Sequence, residues 1–576
     1  METAVEVETN HPEIDSIIES VDKKKDKWAR LAISEKIKLL IEVRNNIGVY
    51  ADEWVDLSIK GKQIEPGSPL AGEEWSTGPW VLASTINNYV ETLNAIDSGN
   101  KDKLMNKVST RDDGQVVAKV FPNNTYEKLL FNGISADVWM QKGIDTNNLT
   151  DSIGVFYNQE NPQGKLSLVL GAGNISAIPP LDILHKLLAE GEVVILKMNP
   201  INEYLGPVLE KVFEPFVKEN YLQFVYGGAE IGKYLTSHPN IESIHITGSE
   251  KTHDAIVYGG GEEGKARKAS NSPILDSSKE LTSELGGIGP MIVIPGPWSK
   301  SDIDFQAQNI VTAKLHNSGH NCVASQVLVL PENWDLSQAL VEAVTNKLRS
   351  APPRVAYYPN AQASQLAAAE ANRGAEELGG ELPRLFIKGL DPSSPQYSFT
   401  NEFFGPVYAQ TSVEGENAAS FLKNAVEFCN EKLHGTLGAT ILVHPKTKKE
   451  LGSKLNEAIA NLRYGAIGVN IWNATAFLIS QCPWGAFPGH SFNDIQSGIG
   501  TVHNTFLFEK PEKVVINGPF RALPRAWAHG DFNLMPKPVW FVTNKTADVT
   551  TKRITRFAVN PGFHHLPGIF ASALMG

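Results

Sequence analysis

Four short apolar runs, separated by amphipathic stretches, constrain the centre of this chain to a layered fold. The runs are LSLVL at 166–170, EVVILKM at 192–198, LQFVY at 222–226 and SIHIT at 243–247; between them lie ILHKLLAEG, PVLEKVFEPFVKEN and AEIGKYLTS. Each pair reads as strand then helix, and its repetition predicts a parallel sheet with right-handed crossovers. Ligands of such sheets bind outside the carboxyl ends of the strands, so a cofactor is expected at the loops after Leu170, Leu196 and Thr247. The alternation restarts after Pro290 with MIVIP, continues through VLVLP at 327–331 and reaches VNIW at 469–472, which predicts a second α/β domain.

The flanks read differently. Behind Ser34, a capping residue, Ile37, Leu40, Ile41 and Ile47 recur at helical spacing. Proline and glycine between Gln63 and Gly78 predict a loop, after which WVLASTINNYVETLNAI resumes the helical pattern, so the first 150 residues read as mostly helical. Between Arg349 and Pro395 a run rich in Ala, Pro, Gly and Ser predicts one helix and surface loops. Beyond Trp484, PWGAFPGH opens a tail without a readable pattern, closed by the apolar LPGIFASALMG, which is expected to dock onto the body.

Composition narrows the function. Fifty-two Lys and Arg against 64 Asp and Glu give a net charge of −12, which argues against nucleic acid or anionic lipid as partner. Three scattered cysteines, Cys322, Cys429 and Cys482, make neither a disulfide framework nor a zinc pattern, and His564 and His565 have no further ligand at diagnostic spacing. The first residues lack a secretion signal, and no run approaches the roughly 18 apolar residues of a membrane helix. The expectation is a soluble cytoplasmic protein with no transmembrane segment and no metal.

Several residues carry possible chemistry. Cys322 lies in NSGHNCVA, at a turn between a predicted helix and strand, where a nucleophile needs a base and a place for the oxyanion; the alternative is a small core residue. Glu284, in ELGG, is a candidate base or a helix end. Asn174, in GAGN after the first strand, is an oxyanion donor or a turn residue. Lys197 ends the second strand. Gly248 and Ser249 follow the fourth and open a helix, whose N-terminus suits a phosphate.

Taken in order with the later NEFFGPV at 401–407, which contains Glu402 and Phe404, these motifs resemble those of the aldehyde dehydrogenase superfamily from about Trp28 to His503. The resemblance implies an aldehyde dehydrogenase-like α/β fold: a mostly helical N-terminal region and Rossmann-like cofactor domain over 1–290, a catalytic α/β domain over 291–485, and a segment over 486–576 that returns to the cofactor domain, contributes to oligomerisation and ends in an extension. It also implies oxidation of an aldehyde to a carboxylate with NAD or NADP. Cys322 would be the nucleophile, Glu284 the general base, and the Asn174 amide with the Cys322 N–H would hold the oxyanion. Lys197 would hold the adenine ribose, Gly248 and Ser249 the pyrophosphate, Glu402 the nicotinamide ribose, and Phe404 would pack against the nicotinamide. A homodimer or homotetramer is expected.

Three positions depart from the family pattern. Gly173 stands where Trp is usual, Pro200 where NAD-preferring members place a ribose-binding Glu, and His253 where the second Gly of the fourth-strand motif falls; His253 reads as a partly exposed helix residue. Trp472, Phe477, Trp484 and Phe487 line a substrate tunnel or fill the core. Two other readings stay open: an acylating enzyme, in which coenzyme A resolves the thioester, and a non-catalytic binding or structural protein that keeps the fold.

Overall fold

The computed structural model describes residues 11–379 and 383–576. Two sheets organise the chain. The smaller has six strands in the order Gly498–Ile499, Glu280–Leu285, Ser243–Gly248, Leu166–Leu170, Val193–Lys197 and Leu222–Val225. All its pairings are parallel except that of the two-residue strand from the C-terminal segment. Strand Leu166–Leu170 is wholly enclosed by neighbours, and the order reverses direction there. The crevice of a doubly wound sheet opens at such a switch point.

The larger sheet has eleven strands. Its parallel centre contains Gly289–Val293, Ser325–Pro331, Val407–Val413, Gly438–Leu442 and Ala466–Val469. The chain passes directly from Glu280–Leu285 in one sheet to Gly289–Val293 in the other, so the glycines after Glu284 form the seam between them. Apolar clusters lie on both faces of the large sheet, as a parallel centre requires.

Two flanks differ from the sequence reading. The first 150 residues are mostly helical up to Leu104; Lys107–Thr110, Val116–Phe121 and Ser135–Met140, with the short helix Thr125–Leu130 between the last two, then form an antiparallel meander on the large sheet. The first of these strands is exposed throughout and so carries no apolar alternation to betray it. The expected loop from 63 to 78 contains the helix Ala71–Trp75, every residue of which is buried. Tertiary burial overrides the breaking tendency of its glycine.

The C-terminal segment serves both sheets. Gly498 pairs with Glu284 in the small sheet, and Pro511–Asn517 inserts between Ser135–Met140 and Ala466–Val469 in the large one. The helix Ala547–Val559 packs on Ala71–Trp75, where a Cβ on Gly72 would lie 2.6 Å from the Ala547 backbone. The closing helix Leu566–Ala573 buries Ile569 in the same N-terminal core. Among the described residues no helix is long and apolar enough to cross a membrane.

Candidate active site

Glu284 and Cys322 meet at the seam between the sheets. Glu284 is the penultimate residue of its strand and is buried; its Oε1 accepts a hydrogen bond from Trp484 Nε1 at 3.2 Å. Cys322, half-buried in the turn before Ser325–Pro331, lies beside the same carboxyl, close enough for each to shift the other's affinity for a proton. Burial pushes Glu284 up to about 8, and the nearby charges of Asp182 and Glu402 act in the same direction. Burial, then the Glu284 charge, also lifts the Cys322 thiol well above its ordinary value. A pair of this kind keeps its proton at neutral pH, and the carboxyl is the acceptor available when the sulfur reacts.

The turn that carries Cys322 is held from behind. Asn317 and Ser318 take left-handed backbone angles, φ 53° and 56°, which non-glycine residues adopt only where their surroundings enforce it. Asn317 Nδ2 donates to the carbonyls of Asn174 and His320 at 3.1 and 3.0 Å, and its Oδ1 accepts from Tyr357 Oη at 3.0 Å and Lys62 Nζ at 3.3 Å. Behind it lies a buried ionic cluster in which Lys62 pairs with Glu74 at 2.9 Å and Arg354 with Glu73. No spacing signal links these residues to the turn, because they come from three separated segments.

Asn174 Nδ2 donates to the His320 carbonyl at 3.0 Å, which fixes its amide beside the Cys322 turn. The glycine at 173 has a local cause: a Cβ there would lie 2.9 Å from Asn199 Oδ1 and 3.1 Å from Ile201 Cβ. Asn199 is itself pinned, since its Nδ2 donates to the Gly171 carbonyl at 3.2 Å and its Oδ1 accepts from Ile201 N–H at 3.1 Å.

The residues expected on the cofactor side lie at strand ends and at a helix start of the small sheet, and by the seam between the sheets. Lys197 ends its strand buried, with Nζ donating only to the Met198 carbonyl at 3.2 Å. Gly248 is the exposed end of Ser243–Gly248, and Ser249 caps the helix Glu250–Tyr258 by accepting the Thr252 N–H. Glu250 in that first turn pairs with Lys268 at 2.8 Å and, across to the large-sheet half, with His434 at 3.0 Å. Its charge is thereby compensated. Glu402 accepts the Gly287 N–H and sits where a Cβ on Gly286 would be, 2.2 Å from its Oε1; burial pushes it up to about 7. Phe404 packs against Tyr358 at 4.9 Å and His320 at 5.6 Å. A cation, a helix start beside an open glycine and a carboxyl cradled by glycine are the residue types that suit the hydroxyls and phosphates of a nicotinamide dinucleotide.

Two expectations change. His253 is fully buried against Phe492, with Nδ1 3.3 Å from Asp254, rather than partly exposed. Of the four aromatics, Trp472, Phe477 and Trp484 share a chamber with Cys322, whereas Phe487 borders another cavity beneath Lys513, whose Nζ lies 4.9 Å from its ring centre. Trp540, from the unreadable tail, completes the chamber.

A sequence model of the aldehyde dehydrogenase family matches residues 141–379. D-glyceraldehyde dehydrogenase (NADP(+)) of Thermoplasma acidophilum is 25% identical over 50% of this chain and 57% of its own length. 1-Pyrroline-5-carboxylate dehydrogenase of Bacillus licheniformis is 26% identical over 54% of this chain and 60% of its own. The chain thus aligns with under two thirds of the length of these relatives. In fold the likeness is broader: the NADP-dependent glyceraldehyde-3-phosphate dehydrogenase of Bacillus halodurans, solved with NADP, superposes with a TM-score of 0.58 at 17% identity, covering 88% of this chain and 91% of that one. The sequence match falls on the stretch that carries Asn174, Lys197, Ser249, Glu284 and Cys322, and the fold likeness extends over both sheets; the chain is similar to the aldehyde dehydrogenase family in sequence over that stretch and has its fold.

Proposed function

We propose that the protein oxidises an aldehyde to the carboxylic acid with NAD+ or NADP+, through a covalent intermediate on Cys322. The observation that carries this reading is the closeness of the Cys322 thiol to the buried Glu284 carboxyl at the seam between the sheets. As Cys322 Sγ bonds to the carbonyl carbon, Glu284 takes the thiol proton, and the Asn174 amide with the Cys322 N–H receives the oxyanion. The bound dinucleotide supplies the hydride acceptor. Glu284 passes that proton to solvent and then deprotonates the water that attacks the acyl carbon; the sulfur leaves, takes the proton back from Glu284, and the acid is released.

Lys197, Gly248, Ser249, Glu402 and Phe404 are the residues we assign to the dinucleotide, supported by their positions at strand ends, at a helix start and by the seam. The Asn317 turn acts by position: it holds Asn174 and the nucleophile in one frame, and orientation of this kind contributes strongly to rate. A soluble cytoplasmic homodimer or homotetramer accompanies the reading, as does a division into cofactor domain, catalytic domain and C-terminal segment near residues 290 and 485.

The test is reduction of NAD+ and, separately, NADP+ by the purified protein with a panel of aldehydes, with Cys322→Ala as control and free acid as the product sought. Turnover without coenzyme A that disappears in the control supports the reading. Steady turnover by Cys322→Ala, or product only as a coenzyme A ester, removes it.

A further inference from the structure

On the dehydrogenase reading, an aldehyde reaches Cys322 through a chamber whose walls come from distant parts of the chain. Ile175 follows the Asn174 loop, Trp472, Phe477 and Leu478 follow the strand Ala466–Val469, Trp484 is the residue that donates to Glu284, and Trp540 comes from the C-terminal segment. The three tryptophans are buried, and Phe477 packs edge-on to Trp484 with ring centres 5.7 Å apart.

The chamber offers no counter-charge to an anion. Among the described residues that line it there is no Lys, Arg, Asp or Glu. His316, its one imidazole, is held below its ordinary value by burial and is neutral at pH 7. The cations behind the neighbouring turn, Lys62 and Arg354, are already paired with Glu74 and Glu73. The charges of Glu284 and Glu402 make the potential at Cys322 negative when they ionise. A carboxylate or phosphate carried into this space would lose hydration and gain no counter-charge. An aryl or alkyl body gains from leaving water against aromatic walls. Among the described lining residues, Thr475 Oγ1 and Trp540 Nε1 are buried with no hydrogen-bond partner, so neutral oxygens on the substrate have places to bond.

We infer that the substrate is an uncharged aldehyde with an aromatic or other apolar body, and that Trp540 limits the size of that body. Wild-type kcat/KM for benzaldehyde and hexanal is expected to exceed that for succinic semialdehyde and glyceraldehyde 3-phosphate by about 100-fold or more. Equal or better use of either anionic aldehyde overturns the inference.

Calorimetry on the wild-type protein separates this outcome from failure of the dehydrogenase reading. Benzamide, which the thiol does not turn over, is expected to bind where 3-phosphoglycerate does not. That result upholds the chamber's preference even if neither cofactor is ever reduced, whereas tighter binding of phosphoglycerate, or no binding of benzamide, refutes it. Trp540→Ala is expected to raise the kcat/KM ratio of 2-naphthaldehyde to benzaldehyde about tenfold, within the range that hydrophobic pocket changes produce. An unchanged ratio in a folded variant takes the size limit away from Trp540.

Discussion

The carboxylate of Glu73 accepts the backbone N–H of Asn317 at 3.1 Å, across 244 residues of sequence. A buried helix of the N-terminal region thereby holds the turn that presents Cys322. The contact depends on the Arg354 and Lys62 partners that neutralise Glu73 and Glu74 in a space without water. Removal of one member leaves an uncompensated buried charge. Arg354→Met is therefore expected to lower stability by about 3–5 kcal/mol. A lower urea midpoint at unchanged slope is the expected result, and a change below about 1 kcal/mol would show that the cluster is not coupled in this way.

Glu284 makes both rate and stability depend on pH. As a base it acts ionised, so resolution of the acyl intermediate should accelerate with pH through about 8 and then level off. Its folded value lies above its ordinary 4.5, so the folded state holds the proton more tightly and loses stability as pH rises from about 4.5 to 8. Glu284→Gln lacks that loss, and its stability relative to wild type should improve between pH 5 and pH 8 by on the order of 1–3 kcal/mol. In single-turnover experiments the same variant should show a slowed burst of no more than one equivalent of reduced cofactor and then stall, whereas Cys322→Ala should show no burst.

Gly286 leaves room for a carboxylate rather than for a turn. A methyl group there would sit 2.2 Å from Glu402 Oε1, so Gly286→Ala must displace that side chain. Nucleotide binding, followed by quenching of protein fluorescence, is expected to weaken about tenfold or more, an effect of about 1.4 kcal/mol. Glu402→Gln should bring a similar loss; full affinity in both would detach Glu402 from the nucleotide.

The His434 imidazole bridges to Glu250 across the two halves at 3.0 Å, and that bond raises its affinity for a proton, while Glu250 is held down at about 2. Its contribution is complete below the ordinary 6.5 and is lost as pH rises through the raised folded value. Both groups are about one third exposed, which limits the effect to about 1 kcal/mol or less. His434→Gln should flatten the dependence of the unfolding midpoint on pH between 6 and 8.5, and an unaltered slope would exclude the bridge as its source.

The core of the fold was legible because the strands Leu166–Leu170, Val193–Lys197 and Ser243–Gly248 are buried on both faces and so appear as unbroken apolar runs. Strand Lys107–Thr110 faces solvent and shows no such run. Local chemistry singled out Cys322, Glu284 and Asn174 as candidates, each within three residues of a glycine in a turn or at a strand end. By contrast, His253 looked like a surface residue from its helix position, and only the packing of Phe492 against it puts it in the core.

By itself, the sequence determined the parallel α/β order and nominated the residues of the candidate site, since the first is written in local periodicity and the second in short motifs around single positions. Tertiary structure alone decided what supports and encloses that site. Glu73, Arg354 and Tyr357 reach Asn317, and Trp540 reaches the Cys322 chamber, through contacts between segments hundreds of residues apart or on different sheets. Such contacts follow from the closing of two sheets on one another, and a buried charge or ring carries no spacing signal that names its partner.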